Sequence, residues 1–382
     1  MSIRKKAIIS LTTLLACCIA AAGCAFQTGS GQAIIADSSD SSAAISAPTG
    51  SSDSTEAASA DTTAPMKTEP PLAATGSTEV LPTTSTTSAP AASTPAANLS
   101  VIMLDSLFGQ SAAHITQRFG SPYAIEKSEY GFNWYVYHNN YSRFVMIGIQ
   151  NSKVIGLYSN SADLLFENLK VGAAKNFVRQ ALRTKGYTGP MESVLKGNTN
   201  YTLPLRDERD TFTDGQKYVT VFYDNTKGGI LAAVQIIDYA TEQGFGYLSA
   251  PDTQLTESYE KISFCLINSI RVRFGLQVLQ YDTNMAKVAA AHSQDMMNRN
   301  YFAHLNREGL EVDGRIKAAG YSYRRCGENI AKDHPSAVSA HENYLNSPGH
   351  RDNILGDFKH VGVGVKMDGK SILQTQVFVT YP

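Results

Sequence analysis

Two histidines and one glutamate could carry chemistry, each within a short run of small, aromatic and polar residues. They are His304 in NYFAH, Glu328 in CGENIA and His350 in SPGHR. Two neutral imidazoles and a carboxylate can hold a divalent ion such as zinc, with one position left open for water. Without a metal, a histidine and a glutamate can form a general acid–base pair. These three residues are therefore the candidate catalytic and metal-binding residues.

Sequence spacing does not decide whether these residues bind a metal, form an acid–base pair or have only a structural role. The three residues lie far apart in the chain, unlike the histidines of a helical HExxH zinc site. No motif marks a nucleophile, since Ser347 before Pro-Gly is typical of a cap or turn residue. Cys326 is interpreted as a buried thiol or as the disulfide partner of Cys265. Hydrogen bonds that join three loops would explain the same residues without a ligand, and no cofactor beyond a divalent metal is indicated.

Local signals predict how the candidate residues are presented. Pro348 cannot continue a helix, so His350 is predicted to lie on a loop. Glu328 is predicted in a turn behind Gly327, and His304 closes an apolar and aromatic run. We therefore expect the three side chains, each at the end of an element, to converge in one solvent-reachable cleft.

The C-terminal third reads as helices followed by two strands. Apolar periodicity and capping residues predict helices at 256–274, after Asp282, at 313–319 and at 335–346. The alternating runs HVGVGVK and SILQTQVFV flank an Asp-Gly pair, which is a hairpin turn signal. Helices first and an antiparallel pair last indicate an α+β fold.

The other histidines have simpler interpretations. His292 shares a helical stripe with Met285, Val288 and Met296, so it is predicted to be a core histidine. The remaining ones are predicted to have surface, capping or packing roles: His114, His138, His334, His341 and His360.

The motifs YFAH, GENIA and SPGHR together resemble those of the CAP superfamily (cysteine-rich secretory, antigen 5 and pathogenesis-related proteins) in its bacterial form. The resemblance implies an α–β–α sandwich with a small antiparallel sheet and a cleft that holds two histidines and acidic residues. It assigns His304, Glu328 and His350 to that cleft. Ser347 stands where the family's second acid would be, three residues after Tyr344, which weakens a four-residue metal site.

A second folded unit is predicted over residues 99–245. A short helix capped by Ser111 is followed by β-like runs, and a helix at 173–185 is again followed by strands, YVTVFYD and ILAAVQIID. This is a duplicated helix-plus-antiparallel-strands α/β module. The stretch SEYGFNWYVY also resembles the CAP-associated N-terminal domain, a resemblance that implies no particular chemistry. The chain is predicted to divide near 245–256, before the CAP-like unit at 255–382, and each unit is expected to fold alone.

The first 24 residues are typical of a lipoprotein export signal. A basic start precedes an apolar stretch and small residues that run up to Cys24, the predicted lipidation site. Plain cleavage or an uncleaved anchor are the alternatives. Residues 25–98, rich in Ser, Thr, Ala and Pro, cannot bury enough apolar surface to offset their ordering entropy. They are predicted to form a disordered linker.

Composition narrows the classes of function. With a net charge of −1 and 18% charged residues, the chain offers no case for nucleic-acid binding.

The sequence predicts an extracytoplasmic protein of a Gram-positive envelope, lipid-anchored or secreted. Its partners would be the membrane, through the anchor, and a cell-wall, peptide or lipid ligand. The favoured hypothesis is a non-enzymatic ligand-binding or envelope-structural protein. The alternative is a metal-assisted or His/Glu acid–base hydrolase of peptide or cell-wall polymer.

Overall fold

The computed structural model of the chain describes residues 42–46, 102–196, 199–203, 208–246 and 248–382. The predicted export signal with Cys24, and most of the predicted linker at 25–98, lie outside the described residues.

The elements follow in chain order. The strands are β1 (Ser42–Ser46), β2 (Ile102–Met103), β3 (Ala124–Lys127), β4 (Asn133–Asn139), β5 (Ser142–Gln150), β6 (Lys153–Ser159), β7 (Leu164–Phe166), β8 (Leu169–Lys170), β9 (Ser193–Lys196), β10 (Thr199–Thr202), β11 (Arg209–Thr213), β12 (Lys217–Asp224), β13 (Ile230–Asp238), β14 (Gln280–Tyr281), β15 (Arg325–Lys332), β16 (His360–Met367) and β17 (Ile372–Thr380). The helices are α1 (Ala112–Phe119), α2 (Lys175–Thr184), α3 (Tyr239–Gly244), α4 (Thr253–Arg273), α5 (Thr283–Asn298), α6 (Val312–Ala318), α7 (Ala337–Asn346) and α8 (Pro348–Leu355).

A seven-stranded antiparallel sheet forms the N-terminal unit, in the spatial order β11-β12-β13-β6-β5-β4-β3. Strands β6 and β13 are neighbours near its middle, and each is the last strand of a helix-then-strands half. This arrangement agrees with the duplication predicted from the sequence. Helix α1 buries Ile115 and Phe119, and α2 buries Val178 and Leu182, in the hydrophobic core on one face of the sheet.

The C-terminal unit is a sandwich around a sheet of order β1-β15-β17-β16-β14. Helices α5 and α6 share a hydrophobic cluster with Val377 and Val379 of β17. The valines of β16 and Phe378 lie in the cluster with α4 and α7, on the opposite face, because successive side chains of a strand alternate. The predicted α+β class and α–β–α sandwich are confirmed.

Two glycines let helix α5 lie directly on the sheet. The run HVGVGV sends its valines to one face and Gly362 and Gly364 to the other. A Cβ at either glycine would overlap the backbone of α5 at Ala286 or Ala290. The close approach of helix and strand therefore depends on the absence of side chains at these two positions.

Ser42–Ser46, which lie within the predicted linker, form strand β1. This strand pairs antiparallel with β15, with Ser42 opposite Asn329 and Ser46 opposite Arg325, and it also contacts α8. Strand β15 would otherwise leave a row of unpaired backbone N–H and C=O groups at the sheet edge. An extended segment of the same chain satisfies those groups.

The two units meet across the second face of the seven-stranded sheet. Trp134 and Tyr158 of that sheet lie in one hydrophobic cluster with Tyr259 and Ile262 of α4. The sequence predicts units that fold separately, whereas this continuous core favours coupled folding, because separating the units would expose buried aromatic surface to water.

Candidate functional site

The three candidate residues come from three different kinds of element. His304 lies in the loop between α5 and α6, Glu328 in the middle of β15, and His350 in the first turn of α8. The predicted turn at Glu328 and loop at His350 are therefore wrong. Pro348 begins a helix instead of ending one, since its missing N–H costs nothing at the first helical position.

Glu328 is held on both sides by positively polarised groups. Its Oε1 lies 2.8 Å from Nδ1 of His304, and its Oε2 accepts a hydrogen bond from the guanidinium of Arg315. Burial opposes the charge of Glu328, but the hydrogen bond from His304 and the charge of Arg315 together keep its pKa below the ordinary value. The carboxylate thus remains ionised, with a hydrogen-bond partner on each of its oxygens.

Arg315 also ties the His304 loop in place. Its guanidinium donates to the carbonyl oxygens of His304, at 2.6 Å, and Leu310, at 2.8 Å. No sequence motif identifies Arg315. Its position in α6 beside the apolar residues Val312 and Ile316 nevertheless indicates that it is buried. A buried arginine requires an acid or carbonyl partner.

His292 is a buried core histidine, as its helical stripe predicts, and it also adjoins the site. Its Nε2 lies 3.0 Å from the carbonyl oxygen of Ala303 and 4.0 Å from Oε1 of Glu328. Burial lowers the pKa of His292, so the neutral ring donates from Nε2 to Ala303. Its role is to fix the end of the loop that carries His304.

His350 is fully buried rather than presented to solvent. Its ring contacts that of Tyr344, with centroids 4.9 Å apart, and its carbonyl oxygen accepts a hydrogen bond of 3.2 Å from Asn329. Asn353 of α8 donates to the carbonyl oxygen of Glu328, at 3.0 Å, and to Oδ1 of Asn329, at 2.9 Å. Amide side chains therefore fasten α8 to β15 and bring His350 to the strand that carries Glu328.

Several buried polar atoms of this region lack a hydrogen-bond partner among the described residues. They are Nε2 of His304, Nδ1 of His292, Nε of Arg315, the hydroxyl of Tyr344 and Nε2 of Gln376. Burial, and then the negative charge of Glu328, raise the pKa of Tyr344, so its hydroxyl stays protonated beside the site. Unsatisfied buried groups of this kind are rare and call for a water or a ligand.

The residues do not fit a three-ligand zinc site in this arrangement. Arg315 occupies one oxygen of Glu328, and a guanidinium beside a ligand carboxylate repels a metal cation. Within the part of the chain that the structure describes, no three or more His, Cys, Asp or Glu side chains are grouped to hold a metal ion. Ser347, at the position of the missing acid, is the residue that joins α7 to α8.

Both cysteines of the C-terminal unit are buried free thiols. Burial raises the pKa of Cys326 and of Cys265 to about 12. Cys326 therefore has almost no thiolate at neutral pH and is a poor nucleophile. The two residues belong to different hydrophobic clusters. Cys326 is therefore a buried thiol and not the disulfide partner of Cys265.

The other histidines take packing or surface positions. His114 is exposed, and Nδ1 of His334 lies 3.1 Å from the hydroxyl of Ser339 at the start of α7. His341 is buried in α7, and burial lowers its pKa to about 3. His138 stacks on Tyr141, with ring centroids 4.4 Å apart. None of these residues contacts His304 or Glu328 among the contacts of the described residues.

Comparison with known sequences assigns the chain to a protein family. A profile of the cysteine-rich secretory protein family matches residues 264–380, and one of the CAP-associated N-terminal domain matches residues 108–246. The chain is 30% identical to the Bacillus subtilis membrane protein YlbC over 280 residues, which are 68% of this chain and 80% of YlbC. The chain belongs to the cysteine-rich secretory protein family and is a bacterial CAP superfamily protein.

Further relatives span one or both units. YkwD of Bacillus subtilis is 39% identical over 132 residues, which are 34% of this chain and 50% of YkwD. An extracellular protein with an SCP domain from Bacillus anthracis has a TM-score of 0.62 at 26% identity, over 74% of this chain and 97% of that one. A cysteine-rich secretory protein from Staphylococcus aureus has a TM-score of 0.58 over 72% and 92% of the two chains; at 15% identity it shows the fold alone.

Across the described residues, no helix combines the length and the apolar character needed to cross a bilayer.

Proposed function

We propose that this chain is an exported, lipid-anchored cell-envelope protein whose CAP site binds a peptide or cell-wall polymer without cleaving it. The observation that carries the proposal is the double engagement of Glu328 by His304 and Arg315. A general acid at neutral pH needs a raised pKa, and a general base must reach the substrate. Glu328 has a lowered pKa and is fully buried, so it meets neither requirement.

Binding has better support than catalysis. The side chain of His304 keeps 18% of its surface exposed, while Glu328 has none, so His304 is where a ligand would first make contact. The hydroxyl of Tyr344 and Nε2 of Gln376 are buried and have no hydrogen-bond partner among the described residues. A polar ligand that offers both donors and acceptors would satisfy these groups.

The descriptions of two relatives and the predicted export signal support a location in the cell envelope. YlbC is named a membrane protein, and the Bacillus anthracis neighbour is described as extracellular. The export signal supplies Cys24 for lipidation, and Cys24→Ser should release the protein from the membrane fraction, because stable anchoring needs acyl chains. Equal membrane retention of variant and wild type, with normal processing, would exclude the lipid anchor.

Co-sedimentation with insoluble Gram-positive cell wall tests the binding proposal. We expect the full chain to sediment saturably and to release no soluble wall fragments. Tyr344→Phe should weaken sedimentation about tenfold, as expected for one lost hydrogen bond of roughly 1.4 kcal/mol. The exposed His114→Ala is the matched control and should bind like wild type.

Two results would contradict the proposal. Release of wall fragments that is lost in His304→Ala and in Glu328→Gln would establish the hydrolase alternative. Absence of saturable sedimentation by wild type would exclude wall polymer as the ligand. If a soluble peptide library then also showed no binding, the binding proposal would be excluded.

A further inference from the structure

A cavity of about 90 Å³ lies between the two units, away from the CAP site. Its floor is the second face of the seven-stranded sheet, with Thr211, Phe222 and Gln235 from β11, β12 and β13. The start of α7, at Pro335 and Ser336, closes it from the C-terminal unit. Because one water requires roughly 10–15 Å³ by this measure, the space holds several waters or a small organic ligand.

Aromatic rings and charged groups line this interdomain cavity together. Lys196 forms an ion pair with Glu242, and its ammonium lies 5.0 Å from the ring centroid of Phe245 and 5.8 Å from that of Tyr130. The carboxylate of Glu242 also lies near the hydroxyl of Tyr130. Lys196 and Glu242 therefore neutralise each other within the wall of the cavity. Arg209 lines the cavity as well and has a partner of its own.

Glu129 is the acidic side chain of the cavity that has no basic partner among the described residues. It lines the same space, but no lysine, arginine or histidine of the described residues forms an ion pair with it. Burial raises the pKa of Glu129 to about 8; its own backbone N–H and the charge of Lys196 oppose this, and Glu242 adds to it. Tyr259 of α4 also faces this carboxyl. A cation is the group that this position lacks.

We propose that the interdomain cavity binds a small amine, whose ammonium pairs with Glu129 and lies against the surrounding aromatic rings. Ammonium groups are attracted to the faces of aromatic rings and bind most strongly where water is excluded. An anion would be repelled by the ionised form of Glu129, and an apolar ligand would leave the carboxyl of Glu129 unpaired. Both units line the cavity, so the amine would bind only where they are docked.

Proton release is a direct consequence of this pairing. At pH 7 the carboxyl of Glu129 is mostly protonated, and an ammonium beside it favours the ionised form. Binding should therefore release close to one proton per ligand at pH 7 and progressively fewer as the pH rises through the pKa of Glu129. If the amine paired only with side-chain hydroxyls and waters, its binding would not show this dependence of proton release on pH.

Isothermal titration calorimetry of the full chain tests the proposal, with ethanolamine as the probe and ethylene glycol as its uncharged counterpart. We expect saturable binding of ethanolamine alone, with proton release measured from the heats in two buffers of different ionisation enthalpy. Glu129→Gln keeps the shape of the protonated side chain and should weaken ethanolamine binding at least tenfold. The exposed Glu257→Gln is the matched control and should leave binding unchanged.

Three outcomes would overturn the proposal. Equal binding of ethanolamine and ethylene glycol would show a non-selective cavity. Full affinity of Glu129→Gln, or binding without proton release at pH 7, would place the amine elsewhere. No saturable binding by wild type at any pH between 7 and 9.5 would leave a cavity that holds water only.

Discussion

Glu328 acts mainly as an anchor for two positively polarised side chains. His304 and Arg315 each take one of its oxygens, and His292 lies 4.0 Å from the first. Replacing one member of a buried ion pair leaves the other charge without compensation, which costs more than the pair itself contributes. The stability of the His304 loop should therefore depend directly on the charge of Glu328.

Glu328→Gln should destabilise the protein by on the order of 3 kcal/mol at pH 7, because Arg315 stays buried without its carboxylate. The pKa of Glu328 is lowered on folding, so its contribution is present above the unfolded value of about 4.5 and is lost as pH falls through the folded value. Urea denaturation should therefore show a large difference between variant and wild type at pH 7 and a smaller one at pH 3.

The exposed Glu257→Gln serves as the control for this series and should change stability little at either pH. A Glu328→Gln protein as stable as wild type at pH 7 would mean that the ion pair contributes nothing to folding.

At the scale of elements, the position of His350 depends on how α8 lies against β15. Pro348 starts the helix, and the side-chain amides of Asn329 and Asn353 attach the helix to β15. Because Asn353 donates to the backbone carbonyl of Glu328, the helix that carries His350 is joined directly to the strand at the centre of the site.

Asn353→Ala should loosen α8 and cost on the order of 1–3 kcal/mol, since it removes the two buried hydrogen bonds that Asn353 donates to the Glu328 carbonyl and to Oδ1 of Asn329. Hydrogen exchange should then be faster across 348–355 than in wild type, while α5 exchanges as before. Asn298→Ala, at the exposed end of α5, is the control. Unchanged exchange in α8 would show that other contacts hold the helix.

At the scale of the whole molecule, the two units are joined by polar contacts around their shared core. The hydroxyl of Tyr158 donates to Oε1 of Glu342 at 2.6 Å, and Arg351 pairs with Asp224 at 2.9 Å. Burial raises the pKa of Glu342 to about 7; the Tyr158 hydrogen bond and the charge of Arg273 oppose this, and Asp224 adds to it. The interface therefore contains a carboxyl that is favoured in its protonated form.

Glu342→Gln should stabilise the protein at pH 8 by on the order of 2 kcal/mol and leave it unchanged at pH 4. The folded pKa of Glu342 exceeds the unfolded one, so its stabilising effect is complete below about 4.5 and is lost as pH rises toward 7. Glutamine mimics the protonated form and has no such loss. Urea denaturation at the two pH values measures the difference, and a variant less stable than wild type at pH 8 would contradict the argument.

The sequence by itself determined many of the elements, although not β15 and α8, where it predicts a turn and a loop. Apolar periodicity placed α1, α2, α4, α5, α6 and α7 within a few residues, and Asp282 is the N-cap of α5, as expected. Alternation placed the final two strands, since the pleat of a strand imposes a period of two wherever one face is buried. These are local patterns, so residues within one element contain the information.

The tertiary structure alone decided which faces and side chains meet. Arg315 and His292 reach Glu328 from other elements, and Tyr158 meets Glu342 across 184 residues of chain. Such pairs follow from how helices and sheets bury their apolar faces, which short-range patterns do not record. The same limit explains the error at His350: Pro348 ends a helix in one context and begins one in another, and the packing of α8 on β15 selects the second.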